Sequence, residues 1–172
     1  MQSMIIGKHI LQLLVVFVLF LSVPPLQPTQ AAQILRGPFP AEIITVIDGD
    51  TIQARIVIWL DQLVTVKVRL QGVDTPEING KCAQERALAQ QAKTFAETWL
   101  ANARTYPNRS SDKQNRSKKI IDKAIMLINV QYGKYAGRVV ADIQNRQGET
   151  LSAALIEAGL AQPYGVPAKW CA

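Results

Sequence analysis

The chain has 172 residues, and 19 lysines and arginines against 13 acidic residues give it a formal charge of +6. Its single histidine is His9. A mature chain without His9 has no histidine base, no Ser-His-Asp triad and no histidine metal ligand, so any resident metal must be held by oxygen, which points to calcium or magnesium.

The first segment is not domain material. Lys8 and His9 precede an uncharged apolar run, Ile10 to Val23, which Pro24 and Pro25 break. Small residues follow at Ala31 and Ala32. This layout predicts a secretory signal peptide over residues 1–32 and a secreted or periplasmic protein, since a run of fourteen residues is short for a span that needs about 20. Residues 33–41 read as a lead-in and 42–172 as one domain, large enough to bury a core unaided.

Within the domain, Glu42 to Ile47 reads as a strand, Asp48-Gly49-Asp50 as a turn, and Thr51 to Leu60 as a second strand. Leu63 to Leu70 alternates, with Val64, Val66, Val68 and Leu70 on one face and Thr65, Lys67 and Arg69 on the other. From Ala83 to Ala101 the period changes. Leu88, Ala92, Phe95, Ala96, Trp99 and Leu100 recur at helical spacing. Seven basic residues between Arg104 and Lys123 face only Asp112 and Asp122, a loop suited to a polyanion. Lys123 to Gln131 and Val139 to Ile143 read as further strands around the Tyr132–Gly137 turn. Thr150 caps a helix from Leu151 to Ala158, which Gly159 ends, and Pro163 and Pro167 stop further long structure.

The predicted fold class is therefore α+β: a five-stranded barrel of the OB type with two main helices and a short C-terminal segment. The two cysteines, Cys82 and Cys171, are an even count in an exported protein, which favours one bridge over two free thiols. It would tie the loop before the main helix to the C-terminus.

Chemistry concentrates in Val46-Ile47-Asp48-Gly49-Asp50-Thr51, in Arg69 through Glu77, and in Gly137-Arg138. Carboxylates hold hard cations, guanidinium groups hold phosphates, and one spare carboxylate can take a proton from water. Singly, each motif has an ordinary reading: a hairpin turn, a helix-entry cap or a surface charge. Together with Ala154 through Ala161, in this order, they resemble the staphylococcal nuclease (thermonuclease) family from about Glu42 to Tyr164.

That resemblance implies calcium held by Asp50, Asp74 and the Thr75 carbonyl. It implies that Arg69 and Arg138 grip the target phosphate and that Glu77 orients or deprotonates the attacking water. Asp48 stands beside the ligands. The family's tyrosine, glycine and arginine in direct succession are interrupted here by Ala136, in Tyr135-Ala136-Gly137-Arg138. Tyr135, Tyr164, Lys118 and Lys119 are the expected nucleic-acid contacts. The implied activity is a calcium-dependent nuclease acting on DNA and RNA with low sequence preference, as a monomer without a membrane or stable protein partner. The alternative is a barrel that binds nucleic acid without cleaving it. An Asp-x-Asp phosphatase of the haloacid dehalogenase type does not fit, because Thr51 follows Asp50 directly and no βα repeat follows.

Overall fold

In the three N-terminal strands every second side chain is apolar, and a twisted sheet built from them can hide one face only by closing. The computed structural model, which describes residues 33–59, 62–103, 125–167 and 169–171, shows this closure. Strands β1 (Phe39–Val46), β2 (Thr51–Trp59), β3 (Gln62–Leu70), β5 (Ile125–Tyr132) and β6 (Arg138–Gln144) form a closed barrel in the order β1-β2-β3-β6-β5. Its interior is filled by Ala41, Ile43, Val46, Ile52, Ala54, Ile56, Val68, Leu70, Ile125, Leu127, Ala141 and Ile143. In β1 the register shifts between Ile43 and Thr45, which turns Val46 inward and leaves Ile44 exposed.

The pairs are antiparallel except β3 with β6, which run parallel with Lys67 opposite Arg138 and Arg69 opposite Val140. Paired residues share a face, so Arg138 joins Lys67 and Arg69 on the outside of the barrel. The Cα atoms of Arg69 and Arg138 are then about 8 Å apart, two residues along and one strand across.

Helix α1 (Ala83–Ala103) packs on the barrel through Ala89, Ala92, Ala96 and Leu100. Phe95 and Trp99, expected in the core, are half-buried at its margin, as is Leu88. The small alanines let the helix approach closely. A Cβ on Gly49 would stand 2.8 Å from Ala92 Cβ and 2.9 Å from Thr75 Oγ1. Gly49 is thus required by space. Gly49→Ala is expected to destabilise by about 1–3 kcal/mol through overpacking, read as a lower thermal unfolding midpoint; an unchanged midpoint would refute the close approach.

Helix α2 (Leu151–Glu157) begins where Thr150 Oγ1 accepts from Ala153 N at 3.3 Å, and Leu151 and Leu155 bury against the core. Two short strands complete the fold. β4 (Val73–Asp74) pairs with β7 (Gln162–Pro163), Asp74 opposite Gln162, and Tyr164 N donates to Gly72 O at 2.9 Å. Cys82 and Cys171 are joined in a disulfide with their Cα atoms 6.0 Å apart.

Two expectations need correction. The barrel begins inside the supposed lead-in: Phe39 and Pro40 pair with Leu127 and Met126, and Leu35 bridges Val130. Proline is tolerated at a strand start, where its missing N–H is not called on. Pro163 does end further long structure, since β7 is two residues long. Finally, Val64 lies on the apolar face of β3 but is 39% exposed, with Ile58 and Trp59 at 55% and 71%, because the β2–β3 hairpin runs past the end of the core. The signal-peptide segment and the basic Arg104–Lys123 stretch lie outside the described residues. Among those described, no helix is long and apolar enough to cross a membrane.

Candidate active site

The bend between β1 and β2 carries the most deeply placed acid of the described chain. Asp48 Oδ1 accepts from Asp50 N at 3.1 Å and holds the bend, while Leu70 N donates to Asp50 O at 2.8 Å and ties it to β3. Asp50 is 1% exposed. Its Oδ1 accepts from Thr51 Oγ1 at 3.0 Å and from Arg69 Nη1; its Oδ2 accepts from Thr75 N and Thr75 Oγ1, both at 3.0 Å. Four donors fill the carboxylate's acceptor capacity, so its orientation is fixed.

Arg69 reaches this carboxylate because strand alternation puts it on the outer face, directly opposite Thr51. Its second nitrogen, Nη2, donates to Asp74 Oδ1 at 2.6 Å and to Val73 O at 3.4 Å. One guanidinium therefore bridges Asp50 and Asp74. Asp74 sits on β4, pinned in turn by β7. Thr75 and Pro76 are buried, and Glu77 emerges exposed in a turn closed by Gly80 N on Glu77 O at 2.8 Å. Arg86 Nη1 donates to Gly80 O at 3.0 Å and Lys81 N to Glu85 Oε2 at 2.8 Å, so the loop enters α1 well anchored.

The charges are strongly coupled. Burial pushes the Asp50 carboxyl up to about 6; the Arg69 guanidinium opposes this, Asp48 adds to it, and the Thr75 bonds oppose it again. Partial desolvation also raises Glu77 above the ordinary 4.5, with Asp48, Asp74 and Glu85 adding and Arg69 opposing. Burial works against the Arg69 charge, but Asp50, Asp74 and Asp48 outweigh it and hold the guanidinium above its usual value. Asp48, Asp50, Arg69, Asp74, Thr75 and Glu77 thus form one electrostatic unit.

The donor set suits a hard cation. Asp50 and Asp74 each aim an Oδ1 at the Arg69 guanidinium, so two carboxylate oxygens converge where a cation in place of that guanidinium would meet them. Another cluster, Cys82, Glu85 and Cys171, has ligand atoms within 4.8 Å of one another. Its sulfurs are bonded to each other and offer a metal no thiolate.

Arg138 belongs to a neighbouring group. Its guanidinium carbon lies 4.7 Å from the centroid of the Tyr135 ring, over which Lys134 Nζ also sits at 5.8 Å. Its Nε is buried without a hydrogen-bond partner. Tyr135 is 60% exposed and Tyr164 73%, the latter placed beside β4 by its bond to Gly72. Lys118 and Lys119 lie outside the described residues. Lys134 was not among the expected nucleic-acid contacts. Tyr132-Gly133-Lys134 is an uninterrupted tyrosine, glycine and cation, and that succession was the available signal.

Residues 67–169, more than half of the chain, match the protein family described as staphylococcal nuclease homologue. The chain belongs to the staphylococcal nuclease homologue family. The closed five-stranded barrel with two helices is the architecture expected of this nuclease family. The family match spans Arg69, Asp74, Thr75, Glu77, Lys134, Tyr135, Arg138 and Tyr164, but it starts after Asp50. The place of Asp50 in this cluster rests instead on its bonds to Arg69 and Thr75. No curated protein matches this chain.

Proposed function

We propose that this protein is an exported, calcium-dependent nuclease that hydrolyses phosphodiester bonds in DNA and RNA with little sequence preference, leaving 3′-phosphate ends. The observation that carries this reading is the convergence of Asp50 and Asp74 on Arg69, with Glu77 in the same field. Asp50, Asp74 and the Thr75 carbonyl would hold the ion. Bound calcium supplies a Lewis acid that draws charge from the phosphoryl oxygen.

The remaining work falls to the chain. Arg69 offers a planar, permanently charged fork that can move from carboxylate to phosphate oxygens, which share its geometry. Glu77 is exposed, its carboxyl is raised by partial burial and nearby acids, and it would accept a proton from water. A second cation at the Tyr135 corner meets the phosphate from one strand away. Arg138 is our choice for it, and Lys134 over the same ring is its competitor. Tyr135 and Tyr164 offer exposed rings to bases, and the basic segment Arg104–Lys123 adds salt-dependent backbone affinity.

The test is digestion of single- and double-stranded substrates by the purified chain across a metal series and with a chelator. Cleavage that needs calcium is expected; salt-sensitive binding without cleavage would return the protein to the non-catalytic barrels. Glu77→Gln is expected to lower kcat about 10²–10⁴-fold and to remove the acid limb of the pH profile. The sign follows from the role: the base must be ionised, so activity rises with pH through its raised pKa. At saturating calcium, which keeps Asp50 ionised, a Gln variant that kept both the limb and the rate would exclude Glu77. Arg138→Ala and Lys134→Ala, compared side by side, assign the second cation by which one loses turnover.

A further inference from the structure

The C-terminal segment is fastened to the loop that carries Asp74, Thr75 and Glu77 at two points. At one end Gln162 pairs with Asp74 and Tyr164 N donates to Gly72 O. At the other Cys171 is bonded to Cys82 at the mouth of α1. Between the fastenings run Thr75 to Lys81 on one side and the chain after Tyr164 on the other. Asp74 and Thr75 are also held by Arg69 and Asp50, so the barrel fixes them independently. Glu77 has no such bond among the described contacts, and its position depends on the turn and on how the loop enters α1.

We propose that the Cys82–Cys171 bridge is a redox-sensitive strap that positions Glu77, so that full turnover requires the oxidised protein. This rests on the nuclease reading above. The bridge is open to exchange from one side. Cys171 is exposed while Cys82 is half-buried. A small dithiol would attack Cys171 Sγ through its thiolate and expel Cys82 as a thiolate. Its second thiol then resolves the mixed disulfide, leaving two protein thiols and an oxidised reagent, two electrons and two protons transferred in all. The surroundings favour that direction. Glu85 N donates to Cys82 Sγ at 3.4 Å, which supports negative charge there, whereas Glu85 Oε2 lies 3.7 Å from Cys171 Sγ and opposes it.

Opening the strap releases Cys171 and removes one tether from the Glu77 loop, which is then held into α1 by the bonds of Gly80, Lys81 and Arg86, while the barrel keeps all its pairings. Turnover should therefore change more than substrate binding. A nuclease built this way is weak in a reducing compartment that holds its maker's own nucleic acids and reaches full rate after export.

The full-length protein is compared in three forms: oxidised, reduced with dithiothreitol and alkylated, and the double variant Cys82→Ser/Cys171→Ser. The measurements are kcat and KM on DNA and amide hydrogen exchange, all below the unfolding range of the least stable form. Reduction and the double substitution are expected to lower kcat about 10–100-fold, the loss associated with a misplaced catalytic group, with KM within about twofold. Exchange should quicken more in residues 75–81 and after Tyr164 than in the barrel strands, and dithiothreitol should have no effect on the double variant. Equal kcat in oxidised and reduced forms would overturn the proposal, as would exchange that rises equally across the barrel. If even the oxidised protein fails to cleave DNA, the nuclease reading fails by itself; unchanged exchange in the two segments would then still refute the strap.

Discussion

Arg69→Ala is expected to lower turnover about 10²–10³-fold, the cost of removing one preorganised donor from a developing oxyanion, without unfolding the protein and without abolishing calcium binding. The structure gives the second half of that expectation. Arg69 is the cation between Asp50 and Asp74, so a divalent ion entering there meets a like charge. Removing the guanidinium removes the repulsion, and calcium should bind at least as tightly as before. Calorimetric titration with calcium alongside a single-turnover assay separates the two effects. Parallel loss of metal affinity and turnover would show Arg69 acting only as support for the carboxylates. Arg69→Lys refines the test. It restores a charge but not a planar fork, so it should recover only part of the rate.

The barrel was legible because its signal is local. Alternation in β3 places Arg69 outside and Val68 and Leu70 inside whatever the neighbouring strands do, and the spacing of Ala92, Ala96 and Leu100 defines a helix face on its own. What escaped the sequence depends on partners far along the chain. The bulge that exposes Ile44 is set by pairing with β2, and the exposure of Val64 by where the barrel ends. The pairing of Pro163 opposite Val73 joins residues 90 positions apart, with no pattern in either dipeptide to announce it. The same holds for the site. Asp50, Arg69 and Asp74 stood out in the sequence as charged groups in two short motifs. That both aspartates lean on the one arginine, and that Thr75 contributes its N–H and hydroxyl to Asp50, follows only from β3 lying between the two acidic segments. The cation pair over Tyr135 was missed for another reason: Lys134 sits in a glycine-flanked turn, where a lysine is ordinarily a solvated charge.

Asp50→Asn is expected to make the metal-free protein more stable at neutral pH while removing its response to calcium. The carboxyl is raised from 3.8 to about 6 by burial that Arg69 and Thr75 only partly offset. Between those two pH values the folded state binds the proton more tightly than the unfolded state. This contribution to stability is therefore fully present below pH 3.8 and is lost as pH rises through about 6. By pH 7 the ionised carboxylate costs about 3 kcal/mol. An amide removes that cost but keeps one acceptor oxygen where there were two, so a bond from Arg69 or Thr75 is given up at about 1 kcal/mol. The net gain is about 1–2 kcal/mol, or a few degrees in Tm. Thermal unfolding in chelator should show the variant above the wild type at pH 7 and the two converging near pH 4, where both groups are neutral. Added calcium should raise the wild-type midpoint by mass action and leave the variant unmoved. A variant less stable than the wild type at pH 7 in chelator would mean that the Arg69 and Thr75 contacts outweigh desolvation. Equal stabilisation of both by calcium would move the ion away from Asp50. The expected pattern, instability relieved by a ligand, is what a binding carboxylate held too deep for its own charge must show.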